Sequence, residues 1–373
     1  MFRKKLIFIL VLFIVCFFSN MVATAAKSLG FENPRVQWMK GKYGIMVHWV
    51  LPVQPRSGEY LEEWDQIVNG FDLDGFMADF DKTGAEWLIF TITHSANGGL
   101  YASPNSIIDS LGGPGHTSQR DLIMEIARAL KQRGKKFIAY LPLSVKSQDL
   151  QKSFSWNSEP GTDQAKFQEK YLLAIHEWAV RYGKLLDGWW FDGCYYQEPF
   201  HNKHMKWEKW YAACRAGNEN AVMAFNDGGF TQEIRSPKPI VPEHDYLSGE
   251  AVVLIDGKIR SGNNDNKRFF MPETAYVENT NCLQHVLVPI DVFWWHGVAD
   301  FPDWAKAPFS IKAPSRQKDM ELPLYSDSDL QKFVHDFTSV GGAVTVNVGI
   351  FQEGYLGKET IRHLQKLKKT FKK

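Results

Sequence analysis

Cysteine is scarce: the 373-residue chain has four, with no Cys-x-x-Cys pair. Neither sign of charge is in excess, with 43 Lys and Arg against 42 Asp and Glu. No long basic run crosses the body of the chain, which argues against a nucleic-acid partner. No Gly-x-Gly-x-x-Gly follows the first predicted strand, so a dinucleotide-binding open sheet lacks its fingerprint. No phosphate-binding loop and no Ser, His, Asp order stands out, and neither an internal repeat nor a second-domain boundary is visible. His201 and His204 have a metal-like spacing, but with no third ligand nearby they read as a polar surface turn. No metal or cofactor is expected.

Residues 1–26 read as a secretory signal peptide. Arg3, Lys4 and Lys5 precede an apolar run from Leu6 to Phe18, and Ala23-Thr24-Ala25 is a small-x-small cleavage pattern. The run of roughly 13 residues is short of the ~20 a membrane span needs, so free export is preferred over a retained anchor. The expected location is secreted or periplasmic. Export leaves Cys194, Cys214 and Cys282, an odd number that permits at most one bridge.

With 44% hydrophobic residues, 13 Trp and 26 Phe, residues 27–373 can build one large core. Apolar runs over 41–49, 86–94, 136–141, 189–192, 221–226 and 343–348 predict strands buried on both faces. Two less secure strands are expected at 239–246 and 268–273. Helical spacing predicts helices over 71–80, 122–133, 167–182 and 329–340, with glycine stops at Gly84, Gly134, Gly183 and Gly341. Thr117 to Asp121 offers a capping-box start for the second of these. The alternation predicts an α/β fold, a (β/α)8 TIM-like barrel forming a single domain. The loop-rich 228–270 and the Pro-bearing 304–329 are expected as long loops.

The chemistry centres on Asp187-Gly-Trp-Trp-Phe-Asp192-Gly193, a strand that ends on a carboxylate among aromatic rings. His48, His94 and Asp192 all fall at C-terminal strand ends, which share the active face of such a barrel. Two carboxylates flanking a site are the minimal machinery for glycoside hydrolysis. Asp192 is the first. Glu243, Asp245, Glu250 and Glu273 compete to be the second. Trp294, Trp295 and His296 are candidate pocket walls. Trp190 lies two residues before Asp192 and so on the same side of the strand, where it is a candidate floor beneath a sugar.

Seven segments, in order, resemble the α-L-fucosidases of glycoside hydrolase family 29. They are 38–49 ending in His48-Trp49, Glu59-Tyr60, Gly84 to Leu88 leading to His94, Arg120-Asp121 with Arg133-Gly134, Tyr182 to Gly193, Asp245 to Glu250, and Gly341 to Gly349 with Gly354. The resemblance implies a retaining exo-glycosidase without cofactor, acting on an oligosaccharide or glycoconjugate. It implies Asp192 as nucleophile and Glu250 as acid/base. His48, Trp49, Glu59, His94, Tyr140, Trp190 and Trp295 are the implied sugar contacts. Three positions depart from the family pattern: Val50 replaces a glycine, Ser95 replaces a second histidine, and Asn226-Asp227 stands where an arginine is usual. The same chemistry on another glycone, and a non-catalytic carbohydrate-binding relative, are the alternatives.

Overall fold

A computed structural model of the chain describes residues 32–159, 162–194, 205–226, 244–250, 253–255, 258–260, 269–291, 294–297, 320 and 322–371. The expected signal peptide, Glu243, Tyr195, Tyr196, His201, His204 and most of the two long loops lie outside the described residues.

Among the described residues, ten strands run in chain order: β1 (Tyr43–Val47), β2 (Trp87–Thr91), β3 (Lys136–Pro142), β4 (Gly188–Asp192), β5 (Val222–Phe225), β6 (Val253–Ile255), β7 (Lys258–Arg260), β8 (Phe269–Phe270), β9 (His285–Pro289) and β10 (Ala343–Val348). Seven form one sheet in the order β5-β4-β3-β2-β1-β10-β9, every neighbour parallel. β6, β7 and β8 make a separate antiparallel sheet. The irregular segment 244–250 reaches both edges of the large sheet. Asp245 N donates to Met223 O of β5 at 3.2 Å, and Leu287 N of β9 donates to Gly249 O at 2.9 Å. The protein is a single α/β domain whose curled, largely parallel sheet is flanked by helices in a TIM-barrel-like arrangement.

Six predicted strands are present; of the two weak ones, 268–273 is corrected, and most of the other, 239–243, lies outside the described residues. Of 239–246, residues 244–246 are described and carry one isolated bridge, Tyr246 to Leu283, rather than a strand. Of 268–273, only Phe269–Phe270 is strand, and it belongs to the small sheet. The seventh strand of the large sheet is β9, which begins on His285 and ends on Pro289. A histidine in that position looks unlike core, yet His285 is buried with both ring nitrogens engaged, by Leu247 O at 2.8 Å and Thr345 Oγ1 at 2.7 Å. Satisfying both nitrogens is what makes its burial tolerable.

The four predicted helices form as Leu73–Thr83, Leu122–Gln132, Ala165–Tyr182 and Asp327–Ser339. Asp121, not Thr117 or Ser118, caps the second, accepting from Met124 N at 3.0 Å. Among the described residues, no helix is long and apolar enough to cross a membrane. Cys194, Cys214 and Cys282 are buried and unbridged.

Strand pleat sorts the core into two layers, because successive side chains point to opposite faces. Ile45, Val47, Leu88, Phe90, Phe137, Ala139, Trp189, Phe191, Met223 and Phe225 face the helices. Met46, Trp87, Ile89, Ile138, Tyr140, Trp190, Val222 and Ala224 fill the interior of the curl. Gly44 shares the interior face, and a Cβ there would sit 2.3 Å from the Trp87 indole, so only glycine leaves room for that ring. The same alternation, carried to the strand ends and just beyond, sends His48, Asp192 and Asn226 inward and Trp49 outward.

Candidate active site

The interior residues at the C-terminal ends of the strands converge. β4 ends at Asp192, and Gly193 turns the chain away in the left-handed region (φ +87°). Asp192 Oδ2 accepts from Tyr140 Oη at 2.6 Å, and Oδ1 accepts from Asn226 Nδ2 at 2.9 Å. The same Asn226 nitrogen donates to Glu250 Oε2. The two carboxylates therefore meet at a single amide nitrogen. Glu250 is brought there by Gly249, whose φ is +68° and where a Cβ would lie 2.2 Å from His285 O. No other residue fits that approach.

Two histidines stand beside this pair. His48 Nδ1 lies 2.6 Å from Asn347 Oδ1. Asn347 Nδ2 donates to Trp294 O at 2.8 Å, which fixes Oδ1 as the acceptor and His48 Nδ1 as the donor. His48 Nε2 is then a lone-pair acceptor. His94 is the reverse: its Nδ1 accepts from Ala96 N at 3.1 Å, so the neutral ring carries its hydrogen on Nε2. Burial lowers the pKa of His48 to about 4, against the opposing pull of Asn347 and Asp192. Burial, then His48, lowers His94 to about 3. Both rings are neutral at neutral pH, one offering a lone pair and the other an N–H.

Aromatic stacking supports the group. Tyr140 lies between Trp190 and His94, with ring centroids 5.3 and 5.7 Å away, both stacked. His48 meets Tyr140 edge-on at 5.3 Å and Trp294 at 5.7 Å, and Trp295 leans on His94 at 5.6 Å. Burial first, and the Asp192 charge second, push the Tyr140 phenol far above its ordinary pKa, so it stays a donor.

Of the residues picked from sequence, Asp192, Glu250, His48, His94, Tyr140, Trp190 and Trp295 come together. Trp190 is the base of the stack, beneath Tyr140, with its indole N–H directed at Ser248 O at 3.4 Å. Trp49 does not join them: it packs in the outer layer against Trp64 and Phe71, at 5.6 and 5.2 Å. Glu59 is exposed in the loop after β1. Among the competing acids, Asp245 is fully buried and held by Arg35 at 2.7 Å and Arg215 at 2.9 Å. Glu273 is exposed on a segment whose Ala275 packs against Gly341, at the opposite end of β10. His296 lies against Phe351. Asn226 and Asn347 also belong to the group, and the pleat marks both as inward-facing strand-end positions. Among the described residues, no group of three or more His, Cys, Asp and Glu could hold a metal.

A family model described as Alpha-L-fucosidase matches residues 65–247, just under half of the chain. No curated protein matches. Among solved structures, the endo-fucoidan hydrolase MfFcnA9 of glycoside hydrolase family 107 superposes with TM-score 0.63 at 16% identity, covering 91% of this chain and 65% of that one. The fold is that of the fucosidase-related glycoside hydrolases. α-L-Fucosidase isoenzyme 1 from Paenibacillus thiaminolyticus gives 0.59 at 16% identity, covering 91% and 75%. The α-L-fucosidase AlfC from Lactobacillus casei, solved with α-L-fucose product, gives 0.53 at 18%, covering 91% and 98%. The chain spans little more than half of the larger endo-fucoidan hydrolases it resembles, 54% and 53% of their lengths.

Proposed function

We propose that the protein is an exported glycoside hydrolase that cleaves a terminal α-L-fucoside, or a closely related sugar, with retention of configuration. The observation that carries this reading is the meeting of Asp192 and Glu250 at one nitrogen on the C-terminal face of the sheet. Hydrogen bonds of about 2.7–3.2 Å to a shared nitrogen keep two oxygens within roughly 6 Å of each other. Carboxyl pairs of retaining enzymes lie about 5–5.5 Å apart and those of inverting enzymes about 6.5–9.5 Å, so the arrangement favours retention.

In the first step an Asp192 oxygen bonds to the anomeric carbon as the glycosidic C–O bond breaks. The Glu250 carboxyl gives its proton to the departing oxygen. In the second, Glu250 takes a proton from water, the water oxygen bonds to the anomeric carbon, and the ester to Asp192 breaks. Asp192 returns as a carboxylate and Glu250 as an acid. His48 and His94, neutral and of opposite polarity, would receive one donating and one accepting sugar hydroxyl. The resemblance to α-L-fucosidases supports fucose as the glycone. The high superposition with an endo-fucoidan hydrolase supports a second reading, internal cleavage of a fucose-containing polymer.

The test is a panel of chromogenic aryl glycosides alongside a fucose polymer. Release of the aryl group from an α-L-fucoside is expected. Turnover of another glycoside alone reassigns the glycone, and chain shortening of the polymer without aryl release favours the internal cutter. Binding of sugars with no turnover of any substrate would leave a binding protein.

A further inference from the structure

The mechanism above uses the two carboxylates and leaves unexplained the group between them. Asn226 is 1% exposed and its backbone is pinned to β4 and to the turn after it: its N–H donates to Phe191 O at 2.7 Å, and its C=O accepts from Cys194 N at 2.8 Å. The amide therefore cannot drift independently of Asp192. Its nitrogen has two hydrogens, one directed at Asp192 Oδ1 and one at Glu250 Oε2. An arginine here would bring a full charge and saturate the carboxylates. An aspartate would add a third acid. An amide places the positive end of a neutral dipole between two groups that would otherwise repel.

We infer that Asn226 is a positioning residue that sets the spacing of Asp192 and Glu250 and selects which Glu250 oxygen carries the transferable proton. This inference rests on the glycosidase reading for its catalytic meaning. The selection follows from donor chemistry. Nδ2–H can only donate, so the oxygen facing it must present a lone pair. The carbonyl-type oxygen is the better acceptor, so the acid proton of Glu250 is favoured on Oε1. Asp192 is restrained at both oxygens, by Tyr140 and Asn226, so its rotation about χ2 is blocked. Among the described residues, the other titratable groups facing the pair are Tyr140 from β3, His48 after β1 and His94 after β2, with Lys146 acting on His94 from the loop after β3.

The experiment uses the full chain, wild type and Asn226→Ala, in two readouts. The first is the pH profile of kcat/KM on the best aryl glycoside. Losing a donor to both carboxylates makes each harder to ionise. Both limbs should move to higher pH by about one unit, with kcat down about 100-fold and KM little changed. The second readout needs no activity: carboxyl 13C resonances, assigned by difference from Asp192→Asn and Glu250→Gln, should both change at higher pH in Asn226→Ala than in the wild type. If the alanine variant does not fold, Asn226→Asp keeps the shape. Its carboxyl can donate only while protonated, so activity should survive only on the acid side of the wild-type optimum. Unmoved limbs and unmoved resonances in a folded variant would overturn the role of Asn226. Moved resonances in a protein inert on every glycoside would instead overturn the glycosidase reading while leaving the coupling in place.

Discussion

The two ends of the sheet hold carboxylates in different company. At the N-terminal end, Asp187 is bound by Lys136 at 2.6 Å, and Asp245 by two guanidinium groups and by Asn33 at 2.9 Å. At the C-terminal end, Asp192 is held by a phenol and an amide, and Glu250 by the same amide. A cation beside a carboxylate neutralises it, and with Met223 N the Asp245 side chain also fastens Asn33 and Arg35 to β5. Neutral donors orient a carboxylate without cancelling its charge, which leaves it able to stabilise or attack a developing cation. Among the described residues, the N-terminal-end carboxylates are ion-paired and fasten the fold, whereas the partners given for Asp192 and Glu250 are neutral donors, as the proposed chemistry asks.

The difference is sharpest under matched substitutions. Asp192→Asn should remove glycoside turnover by roughly 10^4-fold or more. Its unfolding midpoint in urea should stay close to that of the wild type, because the amide retains the shape and one accepting oxygen. Asp245→Ala should do the opposite, since removing one partner of a buried ion pair costs about 3–5 kcal/mol. Chemical denaturation should show that loss, and any protein that remains folded should turn over substrate at close to the wild-type rate. Equal stability losses at the two positions would erase the contrast.

A smaller effect is expected at Tyr140→Phe. A hydrogen bond to a charged acceptor is worth about 1.5–3 kcal/mol, so kcat/KM should fall about 10- to 100-fold with the stack on Trp190 kept. A fall shared by every substrate, without loss of thermal stability, is the expected pattern. A further effect is in stability against pH. Burial lowers His48 and His285 to about 4 and His94 and His244 to about 3. Unfolding returns each to an ordinary value near 6.5, so between pH 6.5 and 4 the unfolded chain binds more protons. Stability is therefore complete above pH 6.5 and falls as pH drops through this window, by up to roughly 1.4 kcal/mol per pH unit for each ring. Denaturation midpoints at pH 7 and 5 check the sign; a midpoint that rises on acidification would contradict it.

The large sheet was legible because buried parallel strands write themselves as unbroken apolar runs. β9 was not, because His285 and Pro289 bound it with residues that look like loop, and only the tertiary partners of His285 explain its burial. Site residues followed the same rule. His48, His94 and Asp192 could be picked from position at strand ends. The family resemblance implies Trp49 as a sugar contact, but pleat alternation sends it to the helix side, where its indole N–H reaches Gln352 O at 3.2 Å. Asn226 was visible as a departure from a family pattern, and its link between two acids 58 positions apart in sequence is a property of the fold alone.

The most direct test of the division between the two ends is chemical rescue at Asp192. Asp192→Gly should be folded and inactive on an activated aryl α-L-fucoside, and azide should restore aryl release by entering the space of the lost carboxylate and bonding to the anomeric carbon as the aryl oxygen leaves, giving a glycosyl azide. Mass spectrometry of wild-type protein incubated with a slow fluorinated glycoside should place the sugar on the peptide containing Asp192. Label on Asp192 together with azide rescue is the predicted result. Label on a different carboxylate, or near wild-type turnover by Asp192→Gly without azide, would contradict the account.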